Sequence, residues 1–139
     1  MNIYFAGAIR GGRDDAKIYS DLICFLQSFG TVLTEHVGSE KLLHEETFLS
    51  EEEIFQRDMQ WLKKTDLLIA EVSTPSLGVG YELAIAEKLS IPCICLFGSH
   101  SDKSLSAMIS GNPFFQVIPY TSIENAKQSL TKCISSSQN

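Results

Sequence analysis

Two acidic residues, Glu82 and Asp58, stand where a carboxylate could do chemistry. Glu82 lies two residues after the stretch STPSLGVG, residues 73–80, in the first turn of a predicted helix. Asp58 lies inside another predicted helix, EIFQRDMQWL. Cleavage of a glycosidic bond needs two carboxylates, because one attacks or stabilises the sugar carbon and the other moves a proton. Two simpler interpretations stay open. The helix dipole alone favours an acid at Glu82, and Asp58 could form a surface ion pair with Arg57.

Two glycine-containing loops could hold an anion. The opening stretch YFAGAIRGGR carries Gly7 and Arg10, so its backbone can approach a ligand closely while the guanidinium adds forked hydrogen bonds to a phosphate. The second loop supplies Ser76 and Gly78 near a helix N-terminus, which also attracts anions. A turn with a solvated arginine and ordinary helix capping are the alternatives. Two such loops at one edge of a sheet would favour phosphate binding.

A phenol and the histidines complete the inventory of reactive groups. Tyr4 lies within the first predicted strand, where a buried core residue is the simpler interpretation. His36 and His44 have no partners at metal-ligand spacing, and HEET lacks the second histidine of the H-E-x-x-H motif. We therefore expect no metal and no other cofactor.

Alternating strands and helices must position these residues. Hydrophobic periodicity predicts strands over 2–7, 31–35, 66–72, 91–98 and 114–120, and helices over 14–30, 50–65, 81–90 and 122–136, with a short helix near 104–111. The acidic segment 38–53 is a solvated loop or the start of the next helix. This order indicates a single α/β domain over 1–139 with a frayed tail at about 135–139.

The predicted fold is a flavodoxin-like (Rossmann-like) sandwich with a five-stranded, mainly parallel sheet in the order 2-1-3-4-5. In that order, strands one and three are neighbours, and ligands bind at the carboxyl ends of the strands. The loops beginning at Gly7 and Ser73 would then face each other across one crevice.

Composition narrows the possible partners and location. The net charge of −6 argues against a nucleic-acid polymer as a ligand, because such binders carry a basic face. The apolar runs are too short to cross a membrane, and the N-terminus has no signal-peptide pattern. We expect a cytoplasmic protein with reduced cysteines, or a nuclear one if the source is eukaryotic.

Several motifs together resemble a known family. YFAGAIRGGR, FGTVLTEHV, DMQWL, AEVSTPSLGVGYEL and LSAMI are similar, in the same order over about residues 2–120, to the 2'-deoxynucleoside 5'-phosphate N-hydrolases of the nucleoside 2-deoxyribosyltransferase superfamily. The resemblance implies a flavodoxin-like fold and a homodimer. It also implies hydrolysis of the N-glycosidic bond of a deoxynucleoside monophosphate to a free base and 2-deoxyribose 5-phosphate.

The resemblance also assigns roles to residues. Glu82 would be the nucleophile that forms a covalent deoxyribosyl ester, Asp58 would transfer protons, and Tyr4 would position the sugar. Ser106 would reach the phosphate from the partner subunit. The other expected contacts to phosphate and sugar are Gly7, Ala8, Ile9, Arg10, Gly11, Ser76 and Gly78. The family pattern has a phosphate-binding serine where this chain has Ala8, a difference that bears on phosphate affinity and on substrate choice.

Three other functions remain compatible with these residues. A deoxyribosyltransferase would form the same intermediate and pass the sugar to another base, although Arg10 and the serine-rich second loop favour a phosphorylated substrate and hydrolysis. A ribonucleotide N-glycosidase acting on CMP-type substrates is the second alternative. A nucleotide-binding module without activity is the third, and it would bind nucleotides without releasing free base.

Overall fold

The computed structural model describes residues 1–9, 15–39 and 41–138. Within them the strands are β1 (Asn2–Ala6), β2 (Thr31–Val32), β3 (Leu67–Glu71), β4 (Cys93–Gly98) and β5 (Phe115–Tyr120). The α-helices are α1 (Ala16–Leu26), α2 (Leu42–Glu46), α3 (Glu51–Lys63), α4 (Leu77–Lys88), α5 (Ala107–Ser110) and α6 (Ile123–Ser137). A 3-10 helix spans Glu35–Gly38.

The sheet confirms the predicted fold class. The strands run in the order β2-β1-β3-β4-β5 and every neighbouring pair is parallel. Tyr4 is level with Leu68 of β3, and Ala6 is level with Ala70. The loops that follow β1 and β3 therefore leave the sheet side by side, as the predicted order requires.

Each face of the sheet carries its own apolar core, because successive side chains of a strand point to opposite faces. Ile3 and Phe5 of β1 pack into the core that contains the buried residues of α1 and α6. Tyr4 and Ala6 belong to the other core, together with the buried residues of α3 and α4 such as Leu83. Tyr4 therefore lies on the α3 and α4 side of the sheet. No helix among the described residues is both long and apolar enough to cross a membrane.

The second strand is shorter than predicted. β2 ends at Val32, and a 3-10 helix begins at Glu35, inside the predicted strand 31–35. Thr34 explains the early end, since its hydroxyl accepts a hydrogen bond from the Phe5 N–H at 2.8 Å and donates one to the Phe5 carbonyl at 2.7 Å. A side chain thus takes the place of the next backbone pair.

Three other boundaries also differ from the predictions. The acidic segment 38–53 contains the short helix α2, which buries Leu42 completely. Helix α4 begins at Leu77, within the second loop, and not at residue 81. Helix α6 continues to Ser137, so part of the predicted frayed tail is helical.

Candidate active site

A cavity of about 620 Å³ opens at the carboxyl ends of β1 and β3, between α3 and α4. Asp58 of α3 and Glu82 of α4 both line it. Gly7 and Ile9 contribute from the first loop. A small adjoining pocket shares Asp58 and Glu82 with the cavity and is also lined by Tyr4. The folded chain thus brings together the two carboxylates and the phenol singled out from the sequence.

Glu82 is held in an apolar setting that resists its ionisation. It lies within the first turns of α4 and is mostly buried, and this burial raises the pKa of its carboxyl to about 7. This value is the net result, because a hydrogen bond from Tyr4 and the charge of Arg57 lower the pKa while the negative charge of Asp58 raises it. Glu82 can therefore exchange a proton near neutral pH, which an ordinary solvent-exposed glutamate does not do.

Tyr4 is both a core residue and a partner of Glu82. Its side chain is almost fully buried, and burial together with the nearby acids raises the pKa of its phenol far above the ordinary value. The hydroxyl therefore stays protonated and can donate a hydrogen bond to the Glu82 carboxylate, which lines the same small pocket. Tyr4 is therefore a core residue that also lies beside the two acids, and its role in positioning the sugar stays a prediction.

Asp58 also fits both of its interpretations. Its Oδ1 accepts a hydrogen bond from Arg57 Nε at 3.0 Å and lies 3.0 Å from Arg57 Nη2, while the carboxyl lies in the wall of the cavity. Burial raises the pKa of Asp58 above its ordinary value, although the Arg57 charge opposes the rise. Asp58 is therefore a partly desolvated acid facing the same space as Glu82.

The first loop is fixed by a hydrogen bond to Tyr19, a buried residue of α1. The Ala8 N–H donates to the Tyr19 hydroxyl at 3.0 Å, and Ala8 is fully buried. Gly7 and Ile9 line the cavity, whereas Ala8 does not line it. The buried position of Ala8 differs from the expectation that its side chain faces a phosphate. Arg10 and Gly11 lie outside the described residues.

Gly7 leads to a prediction because it has no space for a side chain. A Cβ at Gly7 would lie 2.8 Å from the Tyr19 Cε2 and Cζ atoms, and Tyr19 is fully buried. We expect Gly7→Ala to lower the free energy of unfolding by about 1–3 kcal/mol through overpacking. Gly80→Ala is the control, because a Cβ there would meet nothing within 4 Å. Urea unfolding of both variants tests this, and equal stabilities would contradict the close approach at Gly7.

The second loop combines capping with access to Glu82. Ser76 is the N-cap of α4, and its hydroxyl accepts from the Val79 N–H at 3.3 Å. A Cβ at Gly78 would lie 3.8 Å from Ser76 Oγ and 3.9 Å from Glu82 Oε1, so the glycine leaves this space open. The first amides of a helix have no partner within it. The N-terminus of α4 therefore opens beside Glu82, where it can meet an anion.

A polar cluster that the sequence reasoning missed joins the two loops. Asp15 Oδ2 accepts from the Thr74 hydroxyl at 2.9 Å, and Asp15 Oδ1 lies 3.1 Å from His100 Nε2. These residues are far apart in the chain, so no local spacing marks them. Glu71 is buried at the end of β3 and accepts hydrogen bonds from Ser73. The sequence did contain a signal for this residue, because it is the one acid within an otherwise apolar predicted strand core.

Ser106 lies away from Glu82 within its own chain. It is the N-cap of α5 and accepts from the Met108 N–H at 3.2 Å. It lines a second cavity of about 650 Å³, on the other side of the second loop. Among the described residues, no cluster of histidine, cysteine and acidic side chains is arranged to hold a metal ion.

Comparison with known proteins identifies the family. The family model described as nucleoside 2-deoxyribosyltransferase matches residues 3–128. A 5-hydroxymethyl-dUMP N-hydrolase of Danio rerio is 49% identical over 124 residues, covering 86% of this chain and 87% of that protein. One from Tetraodon nigroviridis is 50% identical over 113 residues, covering 80% of each.

Two more distant proteins extend the comparison, one in sequence and one in fold. A protein of Syntrophotalea carbinolica, provisionally named 2'-deoxynucleoside 5'-phosphate N-hydrolase 1, is 40% identical over 123 residues, covering 88% of this chain and 87% of that protein. A solved CMP N-glycosidase from Clostridium botulinum shares the fold, with a TM-score of 0.65 at 20% identity over 94% of this chain and 99% of that one. The predicted resemblance is confirmed, and the chain belongs to the nucleoside 2-deoxyribosyltransferase family.

Proposed function

We propose that the protein hydrolyses the N-glycosidic bond of 2'-deoxynucleoside 5'-monophosphates, releasing a free base and 2-deoxyribose 5-phosphate. The observation that carries the proposal is the meeting of Glu82 and Asp58 in one cavity, with Tyr4 beside both acids in the small adjoining pocket. The names of relatives 40–50% identical to the chain support the substrate class and the hydrolytic outcome.

The reaction proceeds in two displacements at the anomeric carbon. The Glu82 carboxylate attacks C1′ as the bond to the base breaks, and Asp58 in its protonated form gives its proton to the departing base. Asp58, now ionised, takes a proton from a water molecule that attacks C1′ and releases Glu82. Without a 2-hydroxyl to withdraw electrons, the sugar forms an oxocarbenium-like transition state readily, and a carboxylate stabilises it.

The 5'-phosphate provides the binding energy that positions the sugar. Ser76, Gly78 and the N-terminus of α4 lie beside Glu82 and offer hydrogen-bond donors to an anion. We propose that they bind the phosphate together with Arg10 and Gly11 of the first loop. Energy from this remote group can then be used to hold C1′ at Glu82.

We further propose a pyrimidine deoxynucleotide with a 5-hydroxymethyl group, 5-hydroxymethyl-dUMP, as the preferred substrate. The vertebrate relatives carry this name. The cavity has apolar walls from Ile54, Phe55 and Met59, against which the faces of a flat base can pack.

The test is incubation of the purified protein with a panel of nucleotides, followed by chromatography of the free bases. We expect release of base from 5-hydroxymethyl-dUMP and slower release from dUMP, CMP and the matching nucleoside without phosphate.

The family name suggests transferase activity as the second candidate. A new nucleotide formed on addition of a second base would identify a transferase, and binding without any release of base would overturn both.

We also propose a homodimer in which each site is completed by the neighbouring subunit. Leu77 and Met108 are 97% and 80% exposed on the rim of the second cavity, next to Ser106. Large exposed apolar side chains grouped around a depression are typical of interaction surfaces.

A cytoplasmic location, or a nuclear one in a eukaryote, stays a prediction from the sequence.

Mixing two inactive variants tests the shared site. Ser106→Asp keeps an N-cap acceptor for α5 but places a charge that repels phosphate. Mixed with Glu82→Gln and allowed to exchange subunits, it should restore roughly a quarter of the parent activity, since half of the dimers then hold one intact site. Each variant mixed with itself is the control. Failure to restore activity despite subunit exchange shown by native mass spectrometry would contradict a composite site.

A further inference from the structure

Arg57 connects three elements around the cavity. Its Nε and Nη2 both lie 3.0 Å from Asp58 Oδ1, and Nη2 also donates to Glu46 Oε1 of α2 at 3.1 Å. The same Nη2 lies 3.2 Å from His36 Nε2 in the 3-10 helix. The guanidinium is centred 4.8 Å from the ring of Trp61, one turn further along α3. Arg57 therefore has its orientation fixed from several directions.

The contact leaves one oxygen of Asp58 available. Both guanidinium nitrogens use Oδ1, and Oδ2 has no hydrogen-bond partner among the described residues. The Asp58 side chain is 24% exposed and lines the cavity. A carboxylate held through one oxygen keeps the other for proton exchange with a ligand.

We propose that Arg57 is a positioning residue for the reaction, which orients the Asp58 carboxylate and holds α2 against the cavity through Glu46. This inference rests on the proposed function, because Asp58 is given its role there. Glu46 itself lines the cavity, so the same guanidinium fixes two acids in its wall. Arg57 acts through these residues and does not itself line the described cavity.

The charges around Asp58 determine what loss of Arg57 would do. Arg57 faces it from α3 and favours its ionised form, while Glu46 of α2 disfavours it. Glu82 of α4 interacts with Asp58 as a like charge, and the Tyr4 phenol of β1 is neutral. His36 of the 3-10 helix contacts Arg57 and Glu46. Among the residues that the structure describes, Arg57 is the cation whose charge lowers the pKa of both acids, so its removal is expected to raise the pKa of Asp58 and of Glu82.

The test compares the pH dependence of turnover in Arg57→Gln with that in the parent. The two limbs of the pH–rate profile, which the two acids govern, should move to higher pH by roughly one unit. A nearby positive charge such as that of Arg57 lowers a carboxyl pKa by about that much or more. Lys63→Gln removes one positive charge from the exposed end of the same helix and should leave the profile unchanged. A rate lowered equally at every pH would mean that Arg57 only supports the fold and would overturn the proposal.

Two further variants separate the parts of the proposal. Arg57→Lys keeps the charge but loses the forked contact, so it should keep the parent pH profile while kcat falls. Glu46→Gln leaves the Arg57–Asp58 pair in place and should raise KM with little effect on kcat. An Arg57→Lys variant whose profile moves as far as that of Arg57→Gln would contradict the separation of charge from orientation.

A titration that does not depend on turnover distinguishes failure of this inference from failure of the proposed function. Carbon-13 NMR of labelled aspartates identifies Asp58 as the resonance missing in Asp58→Asn. Its titration midpoint should rise in Arg57→Gln by roughly one unit. An unmoved midpoint overturns the inference, even if the parent turns over. A moved midpoint in a protein that releases no base from any nucleotide overturns the proposed function and, with it, the role in turnover.

Discussion

Glu82→Gln is expected to reduce the release of free base below detection while nucleotide binding stays within about tenfold of the parent. The amide keeps the size of the side chain and can still accept the Tyr4 hydrogen bond, but it cannot form an ester with C1′. Base release by chromatography and binding by calorimetry measure the two quantities separately. Turnover near the parent level in the purified variant would remove Glu82 from the role of nucleophile.

The same substitution should stabilise the fold at alkaline pH. Burial raises the pKa of Glu82 from 4.5 to about 7, so the folded protein binds the proton more tightly than the unfolded chain. Ionisation therefore costs stability as pH rises through this interval, on the order of 3 kcal/mol in full above about pH 7 and nothing well below the unfolded pKa. Glu82→Gln should remove this cost, and its stability should converge with that of the parent in acid.

Glu71→Gln is the matched control for this argument. The pKa of Glu71 is also raised to about 7 by burial, but Glu71 lies at the end of β3 and does not line the cavity. Its amide can keep the hydrogen bond from Ser73. We expect Glu71→Gln to stabilise the fold at alkaline pH in the same way as Glu82→Gln does, while its turnover stays at the parent level. Loss of turnover in both variants would mean that the effect at Glu82 comes from buried charge in general.

Much of the fold could be predicted because the pattern is local. Apolar runs marked the central strands, and their alternation with helices predicted a parallel sheet. The strand order came with the flavodoxin-like fold that the family resemblance implies, and it is confirmed. The end of β2 could not be predicted, because it depends on Thr34 forming hydrogen bonds to Phe5 across the sheet. The start of α4 was misplaced because Gly78 and Gly80 suggest a loop, whereas the cap at Ser76 starts the helix before them.

The site could be predicted only in part, because many of its contacts join residues that are distant in the sequence. Glu82 stood out because it follows a glycine loop at a strand end, where topology directs side chains into the crevice. The raised pKa of Glu82 could not be predicted, since it depends on burial against residues from several elements. The contacts of Arg57 with Glu46 and His36 also depend on how α2 folds back, and the acidic segment gave no pattern for that.

Asp58→Asn is expected to lower turnover by about 10²–10⁴-fold, the usual contribution of a general acid or base. The fold should be little affected. Burial raises the pKa of Asp58 despite the Arg57 pair, so the ionised carboxylate gives the folded state no net advantage that the amide would lose. Steady-state release of base and thermal unfolding measure the two effects. A variant with parent-like turnover would reduce Asp58 to a member of a surface ion pair.

The identity of the leaving base then shows which step Asp58 serves. If Asp58 protonates the departing base, the loss in Asp58→Asn should be smaller for a deoxynucleotide whose base leaves easily, such as 5-fluoro-dUMP, than for dUMP. If its main task is to activate water, Asp58→Asn should release one base per site rapidly and then stop, because the deoxyribosyl ester on Glu82 accumulates. Rapid quench with mass spectrometry of the intact protein detects that ester. A uniform loss for all bases without any ester would contradict a proton-transfer role in either step.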